Sequence, residues 1–158
     1  MTLIAIDYGK SKFGYAIGSV FVSESGTIKT TDLVKKIGRF DTVLFGLPLS
    51  MSGNYSTQTF EVIKFALKIK KLGKKVLLLD ERVTTKMAKS FEKRDDDRFS
   101  AEQLLLEYIQ NPDRAVELKE YKVVESQPVS CNFAVFVEVP YDESFSVKEG
   151  IGFSKDPY

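Results

Sequence analysis

Apolar residues fall in short runs along the first half of the chain, and most of these runs stop on an acid, a glycine or a proline. Residues 2–7 (TLIAID) end on Asp before Gly9 and predict a buried strand. Residues 12–18 (KFGYAIG) predict a second strand, joined to the first by the turn YGKS. Residues 20–29 alternate weakly and predict a third, with Ser25-Gly26 as its turn. The period then changes. In 31–39 Leu33, Val34 and Ile37 recur at helical spacing, with Thr31 or Asp32 as cap and Gly38 as stop. Residues 42–47 (TVLFGL) are an apolar strand stopped by Pro48, and the Ser/Gly/Asn-rich stretch 49–56 is loop. An amphipathic helix follows over about 57–72, with Phe60, Ile63, Ala66, Leu67 and Ile69 on its apolar face and Gly73 closing it. Residues 75–79 (KVLLL) predict another buried strand, ending on Asp80-Glu81-Arg82. Thr84 caps a short helix through Phe91, and a last helix spans about 100–109 before Asn111-Pro112.

The order β-β-β-α-β-α-β-α-α predicts an α/β domain over residues 1–112. Its mixed central sheet has an N-terminal antiparallel hairpin meander and flanking helices. The strands at 42–47 and 75–79 are apolar throughout, as parallel strands covered on both faces are. The texture changes after Pro112. Residues 121–125 and 129–139 look β-like, with Val129, Cys131, Phe133, Val135, Val137 and Val139 on one face and Gln127-Pro128 turning them into a hairpin. Residues 140–158 hold Pro, Gly, Ser and acids and predict a loose end. The stretch 113–158 thus reads as a β-rich extension packed on, or extending, the same domain.

Composition narrows the chemistry. There is no histidine, which excludes imidazole acid–base catalysis, Ser-His-Asp and Cys-His sites and His-ligated zinc. Cys131 is the single cysteine, so no intrachain disulfide or thiolate metal cluster forms, and a reducing cytoplasm is the expected setting. The opening Met-Thr-Leu-Ile-Ala-Ile-Asp has no basic region and does not read as a signal peptide. No apolar run approaches the roughly 20 residues that span a bilayer, so no membrane role is expected. Net charge is +1, but it is unevenly divided: the first 112 residues carry +5 and the remainder −4. A modestly basic body carries an acidic extension.

Three carboxylates stand out. Asp7 ends one strand and Asp80-Glu81 ends another, and ligands of open α/β sheets bind beyond the carboxyl ends of strands. Side chains alternate along a strand, so at most one of Asp80 and Glu81 shares Asp7's direction. Within Asp95-Asp96-Asp97, helical phase places Asp97 with Ala101, Leu104, Leu105 and Tyr108, provided that the helix extends that far. Ser100-x-x-Gln103 offers a rival start as a capping box. Three carboxylates with oxygen donors only suit Mg²⁺ or Mn²⁺. Two such ions about 4 Å apart clamp the attacking and leaving oxygens in phosphodiester hydrolysis, chemistry that needs no imidazole. Lys10, Lys12 and Arg82 lie close in sequence to contact a phosphate, as do Lys86 and Lys89. Lys64, Lys68, Lys71, Lys74 and Lys75 read as a solvated helix face.

Four segments resemble the YqgF (RuvX) family, relatives of the RuvC Holliday-junction resolvases with a ribonuclease H-like fold. AIDYGKSKFGYAIGS is similar to its opening D-x-G-x-x-x-x-G-x-A hairpin, and VLFGLPLSMSG to its G-L-P strand and loop. LLLDERVTT is similar to its D-E-R-x-T-T segment and DRFSAEQLLLEYI to its closing D-x-x-A-A helix. Order and spacing agree through roughly residue 110. The resemblance implies that Asp7, Glu81 and Asp97 are the catalytic, metal-holding acids, with Lys10, Lys12, Arg82 and Thr84 as candidate substrate-binding residues. It implies a nuclease of structured nucleic acid in the bacterial cytoplasm, processing ribosomal small-subunit RNA precursor, with branched DNA as the older alternative and a homodimer as an option. The chain departs from the family at Lys12, where Arg is frequent, at Ser100 in place of the first closing Ala, and at Glu102 and Gln103, which stand at apolar positions. Two rival readings are a nucleotide-binding relative of the actin and sugar-kinase superfamily, and a non-catalytic RNA-binding or ribosome-assembly protein on the same fold.

Overall fold

A computed structural model describes residues 2–9, 12–50, 52–81, 96–119, 129–137 and 145–153. The chain divides into two compact units, Met1–Leu118 and Lys119–Tyr158.

The first unit is built on a mixed sheet. β1 (Leu3–Asp7), β2 (Phe13–Gly18) and β3 (Val22–Ile28) form the antiparallel meander, and β4 (Thr42–Leu47) and β5 (Lys75–Asp80) run parallel to β1. A short β6 (Val116–Glu117) adds antiparallel to β5, giving the order β3-β2-β1-β4-β5-β6. Every residue of β4 is buried, because this central strand is covered on both faces. β3, at the edge of the sheet, is exposed or half-buried along its whole length. Ser25 and Gly26 lie inside β3, paired with Ala16 and Tyr15, so the predicted turn there is not formed; the chain reverses at residues 19–21 instead.

Alternation along the strands sorts the core into two layers. Leu3 and Ala5 of β1, Ala16 of β2, Leu44 of β4 and Leu77 and Leu79 of β5 pack with Ala101, Leu104 and Leu105 of α3 (Asp96–Gln110). The intervening positions face the other way. There Phe13 and Phe45 meet Phe65 of α2 (Thr57–Lys71) edge-on or tilted, with centroids 5.3 and 5.9 Å apart. Helix α1 (Thr30–Ile37) lies on that side too: its Lys36 bonds Glu24 at 2.6 Å and sits 4.0 Å over the Tyr15 ring. Tyr15 also donates to Glu24. The ammonium and the phenol hold the Glu24 carboxyl below its usual value.

Helix starts differ from the sequence reading in instructive ways. α1 begins at Thr30 behind Lys29, which makes no side-chain cap, so Thr31 and Asp32 lie in the first turn, where the helix dipole favours an acid. α2 is capped by Ser56, whose hydroxyl accepts from the Thr59 N–H, while the Thr59 side chain accepts from the Ser56 N–H and donates to the Pro48 carbonyl. These bonds turn Thr59 inward and set the phase of the helix. Val62 is buried with Thr59, and Phe60, predicted on the apolar face, is left outside at 51% exposure. α3 begins at Asp96, so Ser100 lies within it and the rival capping box is not used. Its Glu102 takes hydrogen bonds from Ser25 of β3 and from Arg98. Burial pushes that carboxyl up, but the two donors outweigh it and hold it below its usual value. A polar residue at a normally apolar position is thus tied to the sheet edge.

The first unit continues past Pro112. Leu118 is fully buried and its N–H donates to Val76 at 2.9 Å. Arg114 pairs with the buried carboxylate of Glu107, which fastens the turn after α3 back onto the helix.

In the second unit β7 (Val129–Val137) pairs in parallel with β8 (Phe145–Phe153). This corrects one expectation: part of the predicted loose end is a strand, and it pairs with β7 in parallel. The alternation of Phe145, Val147, Ile151 and Phe153 is broken by Glu149, Gly150 and Gly152, which concealed it. Phe133 and Val135 of β7 are each 56% exposed, so the alternating face predicted there is not a buried one at those positions. The segments 121–125 and 84–91, and the Gln127-Pro128 turn, lie outside the described residues. Among the described residues no helix is long and apolar enough to cross a membrane.

Candidate active site

The three candidate acids come from three elements. Asp7 is the last residue of β1, and alternation after Leu3 and Ala5 puts it on the sheet face that α3 covers. Glu81 follows β5 directly. Its alternation after Leu77 and Leu79 assigns it to the same face, and its N–H donates to the Leu47 carbonyl at the end of β4. Asp80, one position earlier, is assigned to the opposite face. Asp97 is in the first turn of α3.

Two glycines make this convergence possible. β5 and β1 are separated by β4, two strand spacings or about 10 Å apart. For a β5 side chain to approach β1 on this face it has to pass over β4. The residue of β4 at that level is Gly46, the next position after the Ile6–Phe45 pair and therefore opposite Asp7. The Glu81 side chain lies on it: a Cβ built on Gly46 would overlap the carboxylate, with Cδ 2.6 Å and Cγ 3.0 Å away. Position 46 is glycine so that Glu81 can reach across, and a glutamate spans this gap better than the shorter aspartate. On the other side of Asp7, its cross-strand partner is Gly14. The main chain of Asp97 rests on Gly14, whose Cβ would overlap the Asp97 carbonyl. The Asp97 carboxylate is 3.8 Å from the position a Gly9 Cβ would take. Asp7 is thus flanked by a glycine on each neighbouring strand, and each glycine carries one of the other acids.

Lys12 approaches the same group, its Nζ 3.6 Å from Asp97 Oδ2. Both side chains are partly exposed, so the pair contributes little stability; it places a cation beside the acids. Lys10, Arg82 and Thr84 lie outside the described residues, as do Lys86 and Lys89.

The donor chemistry fits a hard cation, being carboxylate oxygen only. Among the described residues, however, no three acids stand close enough together to form a finished metal site. The carboxylates approach one edge from three directions, and a cation would complete the approach by offsetting their mutual repulsion.

Sequence reasoning named the acids and passed over the glycines. A glycine inside an otherwise apolar strand signals the close approach of another group, and TVLFGL carries that signal.

A family model described as "RuvX: Holliday junction resolvase" matches residues 1–111. A Thermotoga maritima protein named "Putative pre-16S rRNA nuclease" is 43% identical over 96 residues, which is 60% of this chain and 44% of the relative. A Rickettsia bellii protein of the same name is 32% identical over 131 residues, 69% of this chain and 85% of that one. The chain therefore spans less than half the length of the Thermotoga relative. Among solved structures, Thermus thermophilus RuvC superposes with a TM-score of 0.53 at 13% identity, covering 75% of this chain and 100% of RuvC. That likeness shows the fold, which is ribonuclease H-like.

Proposed function

The chain belongs to the RuvX family, and from that premise we propose that it is a divalent-cation-dependent nuclease that hydrolyses phosphodiester bonds in structured nucleic acid. One observation carries the reading. Acids from β1, β5 and α3 approach one face of the sheet at one edge, with glycines cleared beneath two of them. Carboxylates gathered at one sheet edge supply the oxygen donors that a hard divalent cation takes.

In this reading Asp7, Glu81 and Asp97 hold Mg²⁺ or Mn²⁺, most simply as a pair of ions. When bound there, such cations would offset the charge of the scissile phosphate and make water a better nucleophile. The chain's own residues do the rest. Asp7, fixed at the end of a central strand, offers the cation a carboxylate held in place by the sheet. Glu81 is aimed by its seat on Gly46, and Asp97 by the docking of α3. Lys12 is placed to contact a phosphate oxygen from the Asp97 side.

The names of the relatives favour precursor 16S rRNA as substrate, and the family description favours a branched DNA as the second reading; the proposed setting is the cytoplasm. The activity is assigned to the first unit, and a homodimer would bring two such sites to one substrate.

The test is cleavage of two labelled substrates by the purified chain: a precursor 16S rRNA fragment and a four-way DNA junction. Cleavage is expected with Mg²⁺ or Mn²⁺, stopped by EDTA and restored by excess cation. Which substrate is cut at lower enzyme concentration decides between the readings. No cleavage of either at any cation concentration would leave only a binding role.

A further inference from the structure

Phe60 and the lysines behind it form a surface that the active-site reading does not use. Phe60 is 51% exposed on the first turn of α2 and packs edge-to-face against Tyr55, itself 39% exposed, with ring centroids 5.8 Å apart. Helical phase puts Phe60, Lys64, Lys68 and Lys71 within one narrow stripe along the helix, and all four are exposed. Neither Lys64 nor Lys68 is held in an ion pair among the described residues. The two lysines stand about 6 Å apart along the axis, and the stripe spans most of a helix about 22 Å long. The only acid of α2, Glu61, lies at its margin.

The aromatic end of this stripe is tied to the loop that leaves the carboxyl end of β4. Thr59, next to Phe60, is bonded to Pro48, and Tyr55 forms a bridge with Leu49. Pro48 and Leu49 directly follow Leu47, whose carbonyl accepts from the Glu81 N–H. Phe60 and Tyr55 therefore lie at the end of α2 joined to the carboxyl end of β4, on the sheet face opposite the acids, while the lysines lead away along α2.

We propose that this stripe is a binding track for a single-stranded segment of nucleic acid, with an unpaired base stacked on Phe60 and backbone phosphates on Lys64 and Lys68. The inference rests on the nuclease reading for the direction in which the strand continues, and on the surface alone for its chemistry. An exposed aromatic offers a face to any unpaired base, and a row of cations follows a phosphate backbone. A base within a duplex has no free face for it, so the track selects substrates in which the strand next to the cleaved bond is unpaired. A second copy of this chain is a poorer occupant, because two such helices placed face to face would bring lysine against lysine.

The experiment measures fluorescence anisotropy of a labelled single-stranded RNA 12-mer and of a blunt hairpin of equal length. It uses the full chain carrying Asp7→Asn, so that cleavage does not consume the probe and a failure of the nuclease reading leaves the binding measurement intact. Phe60→Ala is expected to weaken single-strand binding by about 5- to 100-fold, with the hairpin little affected. Phe60→Trp, which keeps a stacking face, is expected to retain affinity. The pair Lys64→Gln and Lys68→Gln should flatten the slope of log affinity against log salt by about 1.4, two phosphates' worth on a single strand. Unfolding curves check that each variant folds. Unchanged affinity and slope in these variants would overturn the proposal. So would equal losses on both probes in Phe60→Ala, or a change of oligomeric state by sedimentation with RNA affinity intact, which would make Phe60 a protein contact.

Discussion

Replacing Asp7 with Asn is expected to reduce metal-dependent cleavage by at least about a thousandfold, or about 4 kcal/mol of transition-state stabilisation, while the protein stays folded. Asp7 sits at the end of the central strand β1, paired across to Gly14 of β2 and level with Gly46 of β4. Asparagine fills the same volume and keeps hydrogen-bonding capacity, so packing is preserved. What it loses is the formal charge that a shared cation requires. Because the replacement is isosteric, thermal unfolding in EDTA should stay close to that of the parent, within about 1 kcal/mol. The two readouts therefore move independently: activity is lost and stability is kept. Undiminished cleavage by Asp7→Asn would remove Asp7 from the site.

Gly46→Ala carries the second large effect, and its cause is the route of Glu81. β4 is an ordinary strand at this position, and alanine in a strand is about 0.5–1 kcal/mol better than glycine on backbone grounds. Nothing in the main chain opposes the change. The added Cβ would stand where the Glu81 carboxylate lies, and with Cδ at 2.6 Å and Cγ at 3.0 Å the whole end of the side chain has to leave. Activity is expected to fall by about a hundredfold, roughly 2.7 kcal/mol, with unfolding shifted by less than about 1 kcal/mol. The distinguishing measurement is a double-mutant cycle. If Gly46→Ala acts by unseating Glu81, combining it with Glu81→Gln should cost little more than Glu81→Gln alone. Additive losses would mean that Gly46 matters for another reason.

Much of this organisation is legible in the sequence, and the reasons differ by element. The strands at 42–47 and 75–79 are read correctly because a strand buried on both faces has no polar position to confuse the pattern. Asp97 is singled out by helical phase, and the helix does extend back to Asp96. The exposure of Phe60 is not legible, because periodicity counts an aromatic as core. The phase of α2 is set by the bonds among Ser56, Thr59 and Pro48, which turn a threonine inward in its place. β8 is hidden because Glu149 and two glycines interrupt its alternation, and parallel pairing with β7 leaves no local turn signal to read. The path of Glu81 over Gly46 depends on strand order: only once β4 is known to lie between β1 and β5 does the glycine acquire its meaning.

The central claim is that Asp7, Glu81 and Asp97 share divalent cation. Its most direct test is anomalous diffraction from crystals of the full chain soaked in Mn²⁺. The account predicts an anomalous peak within about 2.0–2.3 Å of carboxylate oxygens from all three residues, and its loss in Asp7→Asn. A peak elsewhere, or none at saturating Mn²⁺ with the three acids still apart, would contradict it.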